Sequence, residues 1–126
     1  TVSTPINGQP VTLAEQYGYS GARNQQWYLI NQGTGFYSLI NAASLKSLDV
    51  YGNSLAPGAN IAVWPYWGGS GQQWSFTASG GYQTIKSRLS GLPLDVLNLS
   101  TANDAKLIQW NATGAGNQQW LLIRLK

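Results

Sequence analysis

Two aspartates stand in the same tripeptide, Leu48-Asp49-Val50 and Leu94-Asp95-Val96. Fifteen residues after each comes a tryptophan, Trp64 and Trp110. Twenty-five after each comes another, Trp74 and Trp120, closing the words Gly71-Gln72-Gln73-Trp74 and Asn117-Gln118-Gln119-Trp120. Such a set has two candidate chemistries. A carboxylate has about four lone-pair sites and an amide adds donors and an acceptor, so the polar members can hold hydroxyl groups while an aromatic stacks on a ligand face. Alternatively, two carboxylates can share acid–base work, but a glycosidase pair must lie within about 5–10 Å. Equivalent positions in two repeats around an axis point to different sides of a molecule, which argues against catalysis. Asp104 and Glu15 have no matching spacing. The chain has neither His nor Cys, so the commonest general base, the commonest metal ligand and the thiolate are all absent. No catalytic residue, metal site or cofactor is predicted.

The elements that position these residues come from an internal repeat, which is read before other patterns. Asn24-Gln25-Gln26-Trp27 is a third copy of the word, and the three tryptophans are spaced 47 and 46 residues apart. The repeats run over about 1–33, 34–79 and 80–126, in one domain spanning 1–126. The second and third match without a gap from Asp to the last Trp. The first is truncated at its start, since the place of the Asp falls on Val2 and nothing matches 81–94. Aligning Gly8–Leu13 with Gly58–Val63 requires a three-residue insertion and sets Ala14 at the place of Trp64; the ungapped register sets Tyr17 there. The gapped register is preferred.

Short apolar runs recur every 8–12 residues between turn signals, the pattern of an all-β sandwich or barrel. They cover Val11–Ala14, Trp27–Ile30, Phe36–Asn41, Ser47–Tyr51, Ile61–Trp64, Trp74–Thr77, Tyr82–Lys86, Leu94–Leu97, Lys106–Trp110 and Trp120–Leu125. Propellers need at least four blades, so three repeats favour a threefold closed barrel with hairpin caps. Trp27, Trp74 and Trp120 alternate with apolar residues, as inward-facing strand residues do, and are expected in the core.

The 126 residues are 43% apolar and 9% charged, with net charge +3. That composition belongs to a folded chain, and its scattered basic residues make no nucleic-acid footprint. No apolar run approaches the about 18 residues of a membrane span. With no Met in the chain, Thr1 reads as a processed or trimmed start. Neither a cytoplasmic nor a secreted location is favoured.

The Gln-x-Trp words, the Leu-Asp-Val tripeptides and the aromatic between them resemble the ricin-B-type β-trefoil lectins. The lack of cysteine is similar to the mushroom members of that group. The resemblance covers 35–126 well and 1–34 in part. It implies an all-β, pseudo-threefold β-trefoil carrying one shallow sugar site per repeat, in which an Asp and an Asn or Gln bind hydroxyls and an aromatic stacks on the sugar.

Carried onto this chain, the third repeat is the fullest site, with Asp95, Trp110, Asn117 and Gln118, and Asn111 from the loop. The second has Asp49, Trp64 and Gln72 but Gly71 in place of the Asn, with Tyr66 or Trp67 to compensate. The first has Asn24 and Gln25 without an Asp and is expected to be degenerate. For both aspartates a plainer role remains, bonding nearby backbone N–H groups in a turn.

The implied ligands are glycans or glycoproteins with galactose-type sugars. A monosaccharide of about 12 heavy atoms at roughly 0.3 kcal/mol each binds near millimolar. Useful avidity then needs several sites or an oligomer such as a homodimer. Two rivals stay open: a protein-binding or protease-inhibitor trefoil, and a sugar-targeting module clipped from a larger enzyme or toxin. Without His, binding should be flat from about pH 5.5 to 8.5 and fade only in acid, near the reference aspartate pKa of about 3.9. Asn98 and Asn111 open glycosylation sequons; a glycan on Asn111 would crowd the third site and is not expected.

Overall fold

The computed structural model describes residues 3–6, 9–16 and 18–124. Among them the strands are β1 (Ser3–Ile6), β2 (Gln9–Leu13), β3 (Glu15–Gln16), β4 (Trp27–Asn31), β5 (Tyr37–Asn41), β6 (Ser47–Val50), β7 (Ile61–Trp64), β8 (Trp74–Ser79), β9 (Tyr82–Ser87), β10 (Leu94–Val96) and β11 (Ala105–Gln109). The helical content of these residues is five single turns of 3-10 helix. The fold is all-β, as the spacing of apolar runs and turns predicts.

Every strand pairing is antiparallel. The repeats interlock through three equivalent contacts. Thr12 opposes Val63, Ala105 opposes Gln16, and Asn60 opposes Ile108. First meets second, second meets third and third meets first, so the contacts close a ring with pseudo-threefold symmetry. Outside the ring lie two hairpins, β4–β5 and β8–β9.

Ala14 corrects the alignment of the first repeat. Its N–H donates to the Ile61 carbonyl at 2.7 Å, and its carbonyl accepts from the Leu107 N–H at 3.0 Å. Ala14, Ile61 and Leu107 share one buried cluster. Ala14 is therefore the counterpart of Ile61 and Leu107, three positions ahead of the place of Trp64 and Trp110. The register is ungapped. Tyr17 and Val2, at the places of Trp64 and Asp49, lie outside the described residues.

The core collects the inward residues of all three repeats: Leu39, Leu48, Val50, Trp74, Ile85, Leu94 and Val96 among others. Trp74 has no exposed surface, and its indole N–H donates to the Leu48 carbonyl at 3.1 Å. Trp120 repeats this bond to Leu94 at 3.2 Å. Trp27 and Trp120 pack against the same core but are only partly buried. A strand over Trp120–Leu125 does not form over the described part. Trp120 makes a single bridge to Gln83, and residues 121–124 pair with no described strand. An extended apolar run becomes a strand only where a neighbour takes up its N–H and C=O groups.

Candidate functional site

The second repeat builds a cleft. β6 and β7 pair so that Asp49 opposes Ala62 and Ser47 opposes Trp64. Side chains alternate along a strand, so Asp49, Ala62 and Trp64 share one face, and Trp64 packs with Tyr51 against Ala62. The 3-10 turn Ser70–Gln72 then brings Gln72 beneath the loop after β7. The Gln72 amide donates to Asp49 Oδ2 at 2.9 Å and to the Pro65 carbonyl at 3.0 Å. Its oxygen accepts from the N–H groups of Trp67 and Gly68 at 2.9 and 3.2 Å. With no exposed surface, Gln72 is a pin between the carboxylate and the loop. The Trp67 ring lies over Gly69, where an added Cβ would come within 2.0 Å of it. Only glycine lets the ring lie so close.

Asp49, Tyr51, Asn53, Trp64 and Trp67 line the resulting cleft of about 200 Å³. Asp49 is 6% exposed. Its Oδ1 is buried and has no hydrogen-bond partner. Burial pushes the carboxyl up to about 6, against the opposing effects of Gln72, the Trp67 side chain and the Val50 N–H. The last two approach the carboxyl without reaching Oδ1 in bonding geometry. The expectation that the aspartates titrate only well below neutrality therefore fails at Asp49, because burial penalises the ion.

The third repeat makes the same pin with a different finish. Gln118 donates to Asp95 Oδ2 at 2.7 Å and to the Asn111 carbonyl at 2.8 Å, and accepts from the Thr113 N–H at 2.9 Å. Asn117 adds a bond from its amide to Asp95 Oδ1 at 2.9 Å and another to the Val96 carbonyl at 3.0 Å. Both Asp95 oxygens thus have donors. Trp110 sits on the Asp95 face of β10–β11 and is 41% exposed. Asn111 serves through its backbone, and its side chain points outward. A separate cleft of about 480 Å³ borders Asn117 from the other side, between Gln16, Val96, Leu99, Ser100 and Trp120. Neither Asp95 nor Trp110 lines it.

In the first repeat Gln25 accepts from the Ser20 N–H at 2.7 Å and donates to the Gly18 carbonyl at 2.9 Å. The offsets match the other two pins, and no described carboxylate completes the set. The structure thus brings together Asp49, Trp64 and Gln72 in one place, and Asp95, Asn117 and Gln118 in another. Tyr66 stays outside the Asp49 cleft, half exposed, with its hydroxyl 3.4 Å from Gln32 Oε1. Trp67 forms the wall instead. Sequence reasoning missed Tyr51 and Asn53. Their only signal is their place in the loop directly after Leu-Asp-Val. It also read Gly71 as a lost contact. In the fold that glycine leaves Asp49 Oδ1 without the donor that Asn117 gives Asp95. A Cβ at Gly71 would stand 3.0 Å from Asn53 Oδ1 and 3.3 Å from Asp49 Oδ1.

Among the described residues no cluster of His, Cys, Asp or Glu is placed to hold a metal ion. Among the same residues no helix is long and apolar enough to cross a membrane.

The pattern of the ricin-type β-trefoil lectin domain-like family matches residues 4–64 and 70–126. No curated protein matches the sequence. Among solved structures, the chain is similar to the designed threefold-symmetric protein ThreeFoil, with 44% identity, TM-score 0.87, and coverage of 90% of this chain and 84% of that one. It also resembles part of an exo-β-1,3-galactanase from Clostridium thermocellum, with 36% identity and TM-score 0.85 over 87% of this chain. The chain spans 24% of that enzyme's length. A Polyporus squamosus lectin, solved with a sialylated galactose-containing epitope, shares the fold at 22% identity and TM-score 0.72, covering 88% of this chain and 42% of the lectin.

Proposed function

This chain belongs to the ricin-type β-trefoil lectin domain-like family, whose fold is that of a carbohydrate-binding module, and on that premise we propose that it binds galactose-type sugars without catalysing their reaction. The observation that carries the reading is the buried, unpaired Oδ1 of Asp49, a residue that lines a cleft walled by Trp64 and Trp67. A buried carboxylate oxygen without a donor costs free energy, and a ligand hydroxyl supplies the donor. The Trp rings offer the apolar face on which one side of a pyranose stacks. At about 200 Å³ the cleft lies below the roughly 300–1,000 Å³ of drug-sized pockets, a size for one sugar ring.

Asp95, Trp110, Asn117 and Gln118, with Asn111, form the second site. Asp95 there is already bonded to Asn117 and Gln118, so it acts as an acceptor with fewer free lone pairs. The likeness to part of a galactanase supports galactose over other hexoses. Each aspartate is locked to its own glutamine on a separate strand pair, which supports binding rather than hydrolysis. A glycan array tests the reading. Signal on terminal galactosides is expected, and binding to proteins without any glycan signal would replace it with the protein-binding alternative. The galactanase likeness also favours a targeting role within a larger enzyme, which the intact mass of the natural product tests.

A further inference from the structure

The two Asp sites carry their amide on different loops. In the third repeat it stands on the 3-10 turn, where Asn117 donates to Asp95 Oδ1 at 2.9 Å and to the Val96 carbonyl at 3.0 Å. An amide has two N–H donors, so both are engaged. The second repeat has Gly71 at that place and leaves Asp49 Oδ1 buried and unpaired. A different amide borders the same spot. A Cβ at Gly71 would stand 3.0 Å from Asn53 Oδ1 and 3.3 Å from Asp49 Oδ1. Asn53 lies four residues beyond Asp49, lines the cleft and is exposed. Its counterpart four residues beyond Asp95 is Leu99.

Backbone conformation does not account for the asparagine. Asn53 has φ 52°, in the left-handed region where asparagine is enriched. Leu99 has φ 55°. Gly52 and Asn98 precede them at 69° and 59°, so the two turns are alike. The turn takes leucine as well as asparagine, and the amide at 53 has another role.

We infer that Asn53 is the residue by which the second-repeat site selects its sugar, its amide donating to a ligand hydroxyl that in turn donates to Asp49 Oδ1. This rests on the sugar-binding reading of the cleft. Asn53 leaves Asp49 Oδ1 without a donor, so the carboxylate oxygen and the exposed amide both keep capacity for a third group. A hydroxyl has one donor and two acceptor lone pairs and serves both at once. The last torsion of asparagine is broad and roughly two-fold, so a half-turn presents Nδ2 in place of Oδ1. The second-repeat site thus asks for a group that donates and accepts. The Asn117 amide has no donor left to offer, so the two sites read a sugar differently.

The experiment is an NMR titration with methyl β-galactoside and its monodeoxy derivatives. The indole N–H signals of Trp64 and Trp67 report the second-repeat site, and that of Trp110 the third. Asn53→Gly keeps the backbone freedom and removes the amide; Asn53→Leu copies Leu99. Both should weaken methyl β-galactoside at the second-repeat site about tenfold, the scale of one hydrogen bond, with the Trp110 response and the melting temperature little changed. One monodeoxy sugar should bind the wild-type second-repeat site weakly, and in both variants that penalty should largely vanish. Such non-additivity marks a direct contact. Unchanged affinity in either variant overturns the proposal while the sugar-binding reading stands. So does a loss that is the same for the parent sugar and every deoxy derivative, which assigns Asn53 to loop structure. No response at any indole removes the sugar-binding reading and this proposal with it.

Discussion

At the scale of single residues the two aspartates differ although their tripeptides are identical. Asp95 receives Asn117 and Gln118, whereas Asp49 receives only Gln72. With its pKa at about 6, Asp49 gains a proton as pH falls from 7 to 5, and the proton belongs on the unpaired Oδ1. That oxygen then stops being a pure acceptor. Calorimetry at the second-repeat site should therefore find affinity falling with a midpoint near pH 6. A flat profile down to about pH 4.5, close to the reference carboxylate range, would contradict the open-oxygen reading. The stability effect has the opposite sign. A folded-state pKa above the unfolded value means a contribution that is full below about 4 and lost as pH rises through about 6, so Asp49 costs stability at neutral pH. Gly71→Asn should give Asp49 the donor that Asn117 gives Asp95, provided Asn53 shifts by a few tenths of an ångström. A lowered Asp49 pKa, read by NMR titration, is the expected outcome. The tryptophans divide by burial. Trp74→Ala should cost about 3–5 kcal/mol of stability in a thermal or denaturant melt. Trp110→Ala should leave the melt nearly unchanged and cost roughly 1–3 kcal/mol of sugar affinity, if base stacking is a fair guide to ring-on-sugar contact.

At the scale of elements the recurring device is the 3-10 turn before each core tryptophan. Arg23–Gln25, Ser70–Gln72 and Gly116–Gln118 are one turn each. Each sends its last glutamine back to tie down the loop that begins seven residues earlier. The word Gln-Gln-Trp therefore joins two jobs. Its first Gln pins a loop and, in two repeats, an Asp, while its Trp enters the core. Gln118→Ala would leave buried Asp95 Oδ2 without its donor, and the Asn111 carbonyl and Thr113 N–H without their partners. A loss of about 3 kcal/mol is expected, the scale of one or two buried groups left unpaired. Gln25→Ala frees only the exposed Gly18 and Ser20 and should cost about 1 kcal/mol or less. Equal melting shifts for the two variants would show that the pins are equivalent and that burial does not set their worth.

At the scale of the whole molecule, two complete Asp-Trp-Gln sets face away from a common axis. Titration with a galactoside should give two weak sites per chain, and Asp49→Ala should reduce the count to one. Two such sites on one chain should raise avidity on surfaces bearing many sugars, since each monosaccharide contact alone is expected near millimolar; equal affinity for sparse and dense galactoside surfaces would contradict this.

The sequence by itself determined the repeat, its 47 and 46 spacing, the all-β class and which residues recur at each site. Those features are periodic, and a period is legible without coordinates because each repeat solves the same packing problem. It also separated Trp74 and Trp120 from Trp64 and Trp110, since alternation with apolar neighbours marks a residue facing inward. What only the tertiary structure decided were features with no period. The register of the first repeat rests on Ala14 meeting Ile61 and Leu107, a contact between segments far apart in the chain. The effect of Gly71 depends on what surrounds it: the same missing side chain reads as a lost contact in the sequence and, in the fold, leaves a buried carboxylate oxygen unpaired. The acidity of Asp49 follows from burial, which no tripeptide encodes. And Leu121 to Arg124 pair with no described strand, because pairing needs a neighbour to take up their N–H and C=O groups, which an apolar run does not specify.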